Sequence, residues 1–125
     1  MCEFESLDRC AAYVAARTAL EAVHGATWPA DVAEQAKRAA IEAVMATAES
    51  LHHDHASPAR RRCVRTALVR AIELVAAVDV AQALGTELDD VQRTAGRSVA
   101  MLGLLLHSSA NPFPEDECGL GDTRL

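Results

Sequence analysis

The chain has 125 residues, half of them hydrophobic and 3% aromatic, and a formal net charge of −6. This length suits one compact domain with a single core. The negative charge argues against a protein whose main task is to coat nucleic acid, because phosphate contacts dominate that kind of affinity. Abundant alanine, leucine, glutamate and arginine, with few aromatic residues, predict an all-α fold.

Apolar residues recur every three or four positions in four segments, which predicts four helices. The first is predicted over residues 4–24, where Gly25 suits a C-terminal cap and Pro29 suits the start of the next helix. The second is predicted over residues 30–51. Its apolar face consists mainly of small residues that let a neighbouring helix approach closely: Val32, Ala36, Ala39, Ala43 and Ala46.

The third predicted helix is the longest. Ser57 followed by Pro58 is a good N-cap and first-position pair, and Gly85 is a good stop, so the helix is predicted over residues 58–84. Its apolar face is wide enough to contact more than one partner. It consists of two overlapping seams, Val64-Leu68-Ala71-Val75-Val78 and Ala67-Ala71-Leu74-Val78-Ala81.

The fourth helix is predicted to begin at a capping box made by Thr86 and Asp89. Its seam contains Leu88, Val91, Ala95, Leu102 and Leu105, and its end, "MLGLLL", is apolar nearly all round. Such an end exposes leucines in a small monomer, which favours a subunit interface over ordinary core burial. The predicted interface residues are Leu102, Leu104, Leu105 and Leu106.

Short connections between long helices predict an up-down-up-down four-helix bundle over residues 1–109. A disordered acidic tail is predicted to follow it over residues 110–125. No apolar run is long enough to span a membrane, and the N-terminus "MCEFESLDRC" lacks the basic region of a signal peptide, so we expect a cytoplasmic protein. The four cysteines show no CxxC spacing, and we expect neither a disulfide nor a zinc site.

Two patterns raise the question of a metal. Di-iron bundles use Glu-x-x-His on two helices, and the chain contains Glu21-x-x-His24 and Glu49-x-x-His52. Each motif lies at the C-terminal end of its predicted helix. Because the first two helices are predicted to run antiparallel, the motifs fall at opposite ends of the bundle, which argues against a shared site. The second pattern is a cluster that either binds a single ion or forms a solvated loop: His52, His53 and His55.

Nothing in the sequence indicates catalysis. No nucleophile context such as G-x-S-x-G and no glycine-rich phosphate loop is present, so we expect no enzyme activity, no cofactor and no metal.

The arginines at the start of the third helix are the strongest candidate for a binding site. Cations are mildly unfavourable there because the helix dipole is positive, so stability alone does not select them. The patch either binds phosphate or an acidic partner, or is an ordinary solvated face. Its residues are Arg60, Arg61, Arg62 and Arg65.

Several motifs, in order, resemble a bacterial four-helix-bundle family. They are "AEQAKRAAIEAVMATAES", "SPARRR", Glu73 and Asp79, "LG" and "MLGLLL", and the resemblance as a whole covers about residues 5–109. The family includes proteins encoded in 23S rRNA intervening sequences and the accessory variability determinant of diversity-generating retroelements. Its second helix typically reads D-Q-x-x-R-A-x-x-S-I and then N-I-A-E-G, where this chain has matching residues at Glu34-Gln35, Arg38-Ala39 and Ala48-Glu49.

The chain departs from the family pattern at polar and turn-forming positions. Ala46 replaces the family's asparagine and Ser50 its glycine, and Leu68-Val69 stand near the position of the family's Arg-Gly pair. The resemblance implies a closed homo-oligomer, most simply a homopentamer, that acts as a non-enzymatic adaptor for an unidentified partner protein. The alternative it implies is a nucleic-acid-binding accessory subunit of a reverse transcriptase, acting through the third-helix arginines.

Overall fold

Helices are the only regular secondary structure in the part of the chain that the structure describes. The computed structural model describes residues 4–108, with side chains from residue 7 onward. These residues contain no β-strand, which confirms the predicted all-α class. The helices are α1 (Phe4–Arg9), α2 (Ala11–Gly25), α3 (Ala30–Ser50), α4 (Pro58–Ala83) and α5 (Asp89–Ser108). The tail predicted over residues 110–125 lies outside the described residues.

The prediction of one helix over residues 4–24 is wrong, because the chain leaves helical geometry at Cys10. This residue has an extended backbone (φ −87°, ψ 113°) and no side-chain capping hydrogen bond. Its N–H donates to the Leu7 carbonyl at 3.2 Å, and its own carbonyl accepts from Val14 at 3.0 Å. Cys10 therefore ends α1 and begins α2, and the two helices pack against each other.

Residues 26–29 connect α2 to α3. Ala26, one residue beyond the predicted cap at Gly25, holds the C-cap position, and its N–H donates to the Val23 carbonyl. The same carbonyl accepts a hydrogen bond from the Trp28 indole at 3.0 Å, which holds the connection against α2. Pro29 stands immediately before α3, as predicted.

The end of α4 is a left-handed glycine cap at Gly85 (φ 95°). The Gly85 N–H donates to the Gln82 carbonyl at 3.0 Å, and the Thr86 N–H donates to the Ala81 carbonyl at 3.0 Å, which is the Schellman pattern. Thr86 thus belongs to the end of α4. The predicted start of the next helix at Thr86 is wrong, since α5 begins at Asp89.

Small residues form much of the core. Each of the four longer helices packs against two of the others: α2 and α4 both contact α3 and α5. The α3 seam predicted from the sequence is buried at Ala36, Ala39 and Ala43, and alanines let helix backbones approach closely. Ala67, Ala71 and other small residues do the same on α4, around larger side chains. The largest fully buried hydrophobic side chains are Leu74, Leu102, Val23, Val64, Val78 and Val91.

Buried hydroxyl groups satisfy their hydrogen bonds within their own helices. Thr47 donates to the Ala43 carbonyl at 2.6 Å, and Ser98 donates to the Ala95 carbonyl at 2.7 Å. These hydroxyls add small polar side chains to the core without leaving a donor unpaired. Among the described helices, none combines the length and the apolar character needed to cross a membrane.

Candidate functional site

The start of α4 is built as the sequence predicts. The Ser57 hydroxyl accepts a hydrogen bond from the Arg60 N–H at 3.0 Å, and Pro58 occupies the first turn. Residues 51–57 connect α3 to this start. Within them Ala56 adopts a left-handed backbone (φ 70°), and the Ser57 N–H donates to the Asp54 carbonyl at 3.0 Å. A tight turn over residues 54–57 therefore leads into α4.

The predicted arginines do not share one environment. Arg62 and Arg65 are exposed, whereas Arg60 and Arg61 are partly buried. Within residues 7–108, no carboxylate lies within ion-pair distance of Arg61, Arg62 or Arg65. Their charge adds to the positive end of the helix dipole, so the start of α4 is a locally cationic surface on an acidic chain.

A shallow depression continues this cationic surface along α4. It is lined by Arg62, Arg65, Thr66, Val69 and Arg70. The lining combines three guanidinium groups with an apolar edge at Val69. Arg60 and Arg61 do not line it.

The three clustered histidines lie in different environments. His52 and His55 are exposed, while His53 is partly buried. Within residues 7–108, His53 is the only one of the three that joins a group of potential metal ligands, and its neighbours there are Glu49 and Cys63. Sequence reasoning missed this combination, because Cys63 reaches it only when α4 packs on α3.

The cysteine in this group is chemically perturbed. Burial, first, and the negative charge of Glu49, second, raise the pKa of the Cys63 thiol above its ordinary value, and a hydrogen bond to the Glu49 carboxylate acts in the same direction. The nearby Arg62 charge opposes the shift and lowers the pKa. Cys10 and Cys63 are free thiols. Cys2 and Cys118 lie outside the described residues.

The leucines predicted as a subunit interface divide between core and surface. Leu102 is 0% exposed and packs against Ala67 of α4, so it belongs to the core and offers no surface to a neighbouring chain. Leu104 is 62% exposed, and Leu105 and Leu106 are partly buried. We call these last three residues the α5 leucine end.

A second apolar surface lies on α4, opposite the buried residues of that helix. Val69, Ile72 and Val80 are 44%, 50% and 46% exposed, and Ala76 is also exposed. Their spacings of three and four residues place them on one side of the helix. We call these four residues the α4 outer stripe. The two seams predicted on this helix did not include them.

Comparison with known proteins finds no match. No family model matches the chain, and neither a curated protein nor a solved structure matches it.

Proposed function

We propose that the protein is a non-enzymatic, cytoplasmic adaptor that assembles into a closed homo-oligomer and binds a partner protein. The proposal takes α2 to α5 as an up-down-up-down bundle. Two observations support that topology: the connections are short (residues 26–29, 51–57 and 84–88), and each of these helices packs against two of the others.

The observation that carries the proposal is the α4 outer stripe. Branched apolar side chains half exposed along one side of a helix have no role in the core of the subunit. A second chain that covers them removes apolar surface from water, which contributes roughly 25 cal/mol for each Å² buried. Contiguous apolar surface of this kind is typical of protein–protein contacts.

The α5 leucine end provides a second, different surface. A ring closes when one surface of each subunit contacts a different surface of the next, whereas a two-fold dimer uses the same surface twice. We therefore propose that the α5 leucine end of one subunit contacts the α4 outer stripe of its neighbour. By resemblance to the family, the expected ring is a homopentamer.

A mixing experiment tests this arrangement. One variant carries Val69→Glu with Ile72→Glu, and another carries Leu104→Glu. Light scattering at micromolar concentration should give an oligomer for the unsubstituted chain and a monomer for each variant. An equimolar mixture of the two variants should give a dimer, because each keeps the surface that the other has lost.

The matched control is Met45→Glu on α3, which is 66% exposed and lies outside both surfaces, so the oligomer should persist. A monomeric mass for the unsubstituted chain contradicts the oligomer. Failure of the mixed variants to pair contradicts contact between these two surfaces.

The cationic start of α4 is the proposed binding surface for the partner. An acidic partner protein is the leading ligand, because nucleic acid carries a charge at every phosphate and is repelled by the acidic remainder of the chain more strongly than a protein that presents a few carboxylates. The alternative function is a nucleic-acid-binding accessory subunit of a reverse transcriptase. It is favoured by Arg61, Arg62 and Arg65, which have no carboxylate partner in the described residues.

Replacing Arg61, Arg62 and Arg65 together with alanine separates the two ligands. If the ligand is nucleic acid, DNA and RNA affinity should fall, and the salt dependence should lose about three units of slope. If it is a protein, capture of one acidic product of a neighbouring gene should be lost instead. Stability should change by roughly half a kcal/mol or less, as for most surface substitutions.

The matched control replaces Arg17, Arg38 and Arg93, which removes the same charge from exposed positions elsewhere. Equal effects of the two triple variants would show a response to net charge alone, and would contradict a specific role for the start of α4.

A further inference from the structure

Three chemically different metal-binding side chains meet where α3 ends and α4 begins. A carboxylate oxygen of Glu49, a ring nitrogen of His53 and the sulfur of Cys63 all lie within 4.8 Å of one another. Glu49 lies in the last turn of α3, His53 in the connection and Cys63 in the second turn of α4. In residues 7–108, no other group of three such side chains comes this close together.

We propose that Glu49, His53 and Cys63 bind one zinc ion. Thiolate sulfur, imidazole nitrogen and carboxylate oxygen are the three protein ligand types that Zn²⁺ uses. Magnesium and calcium prefer sites made only of oxygen, so this set does not suit them. Three protein ligands leave the fourth tetrahedral position for a water molecule.

The geometry requires only small movements of side chains. Metal–ligand bonds of about 2.0 to 2.3 Å place neighbouring ligand atoms of a tetrahedral site about 3.5 Å apart. The three ligand atoms start within 4.8 Å of one another, so each has roughly an ångström or less to move. Glu49 is exposed and has rotatable bonds enough to make most of this adjustment.

The connection that carries His53 is already tied to both helices. The His53 N–H donates to the Ser50 carbonyl of α3 at 3.2 Å. At the other end of the connection, Ser57 caps α4 through the Arg60 N–H. Binding therefore orders little additional backbone, and the entropy lost on closing the site is small.

The charges of the filled site balance. A zinc ion with one thiolate, one carboxylate and one neutral imidazole has no net charge. The exposed cation of Arg62, next to Cys63, therefore gains no repulsion from the complete site. The ion would join the end of α3 to the start of α4, close to Arg62.

Cobalt(II) is the optical probe for this site, since it takes the tetrahedral geometry of zinc and gives a thiolate-to-metal charge-transfer band. The full chain, without a histidine tag and kept reduced, should develop this band up to one ion per chain. Zinc should remove the band by displacing cobalt, and should raise the melting temperature because it binds only the folded chain. Absence of the band at millimolar cobalt would overturn the proposal.

Single substitutions assign the ligands. Cys63→Ser should abolish the band, and His53→Ala and Glu49→Gln should each weaken cobalt binding at least about tenfold. Circular dichroism confirms that each variant remains helical, and the partial exposure of all three residues favours that result. A full band in Cys63→Ser, or unchanged affinity in both other variants, would refute the site.

Matched controls separate this cysteine and histidine from the others. Cys10→Ser, the double variant Cys2→Ser with Cys118→Ser, and His24→Ala should all keep the band and its stoichiometry. Loss of the band in any of these, with the band kept in Cys63→Ser, would place the ion elsewhere and contradict the proposal.

Discussion

Arg70 of α4 and Glu42 of α3 form an ion pair, with the Arg70 Nε 2.9 Å from a carboxylate oxygen of Glu42. The same guanidinium donates to Glu73 of its own helix at 2.8 Å. Arg70 is therefore held by two carboxylates, whereas Arg62 and Arg65 in the same depression have none among the described residues. The bridge joins α3 to α4.

Arg70→Ala should destabilise the fold by up to about 1 kcal/mol, because the pair is partly exposed and solvent screens it. The measurement is urea unfolding, with the midpoint converted to a free energy. Arg38→Ala is the matched control, since its ion pair with Glu34 is 3.7 Å long, more exposed and confined to one helix. An equal or larger effect of the control would contradict a role for Arg70 in joining the two helices.

Ala56 adopts a left-handed backbone conformation, so replacing it with glycine should stabilise the protein. Its φ of 70° costs an L-residue with a Cβ about 1 to 2 kcal/mol, and glycine adopts it freely. Glycine also gains entropy in the unfolded chain, which offsets part of this gain in stability, so Ala56→Gly should stabilise by about 0.5 to 1 kcal/mol in net terms. Thermal and urea unfolding measure the change.

The control for this substitution is Ala59→Gly in the first turn of α4, where the backbone is helical. There glycine should destabilise by about 0.5 to 1 kcal/mol. Loss of stability in Ala56→Gly comparable to the control would show that the turn conformation at Ala56 carries no strain.

Local signals in the sequence were sufficient for the ends of α4 and for the core face of α3. Ser57, Pro58 and Gly85 each act through their own backbone or side chain, so their positions alone fix where α4 begins and ends. The break at Cys10 had no such signal, since cysteine neither lacks an N–H nor favours a special φ angle. It was therefore predicted as continuous helix.

The α4 outer stripe and the proposed zinc site both depend on tertiary packing. Apolar residues surround most of α4, so the sequence alone does not tell which side faces the core and which remains as the α4 outer stripe. Similarly, Glu49, His53 and Cys63 follow no recognised ligand spacing. They meet because α3 and α4 pack together around a short connection.

Removing residues 110–125 should leave the melting temperature unchanged. Their sequence has no apolar periodicity and carries four acidic residues against one arginine, which does not favour packing on an acidic body. Thermal unfolding of the truncated and full chains makes the comparison. A clear fall on truncation would mean that this segment docks on the helices. A control that removes only residues 118–125 would then locate the contact.

The raised pKa of the Cys63 thiol predicts a specific pH dependence of its chemistry. Thiolate is the reactive form, so alkylation of Cys63 in the folded, chelator-treated protein should need a higher pH than alkylation of an ordinary thiol. Because the folded state holds this proton more tightly than the unfolded state, the contribution of Cys63 to stability is complete below the unfolded pKa. It is lost as the pH rises through the folded pKa.

Two substitutions should move the alkylation midpoint in opposite directions. Glu49→Gln removes the negative charge beside Cys63 and should lower its pKa, whereas Arg62→Ala removes the opposing positive charge and should raise it. Mass spectrometry of each cysteine-containing peptide follows alkylation against pH, with the same protein in denaturant as the control, where the two variants should converge. Shifts of the same sign in the folded state would contradict the charge arrangement around Cys63.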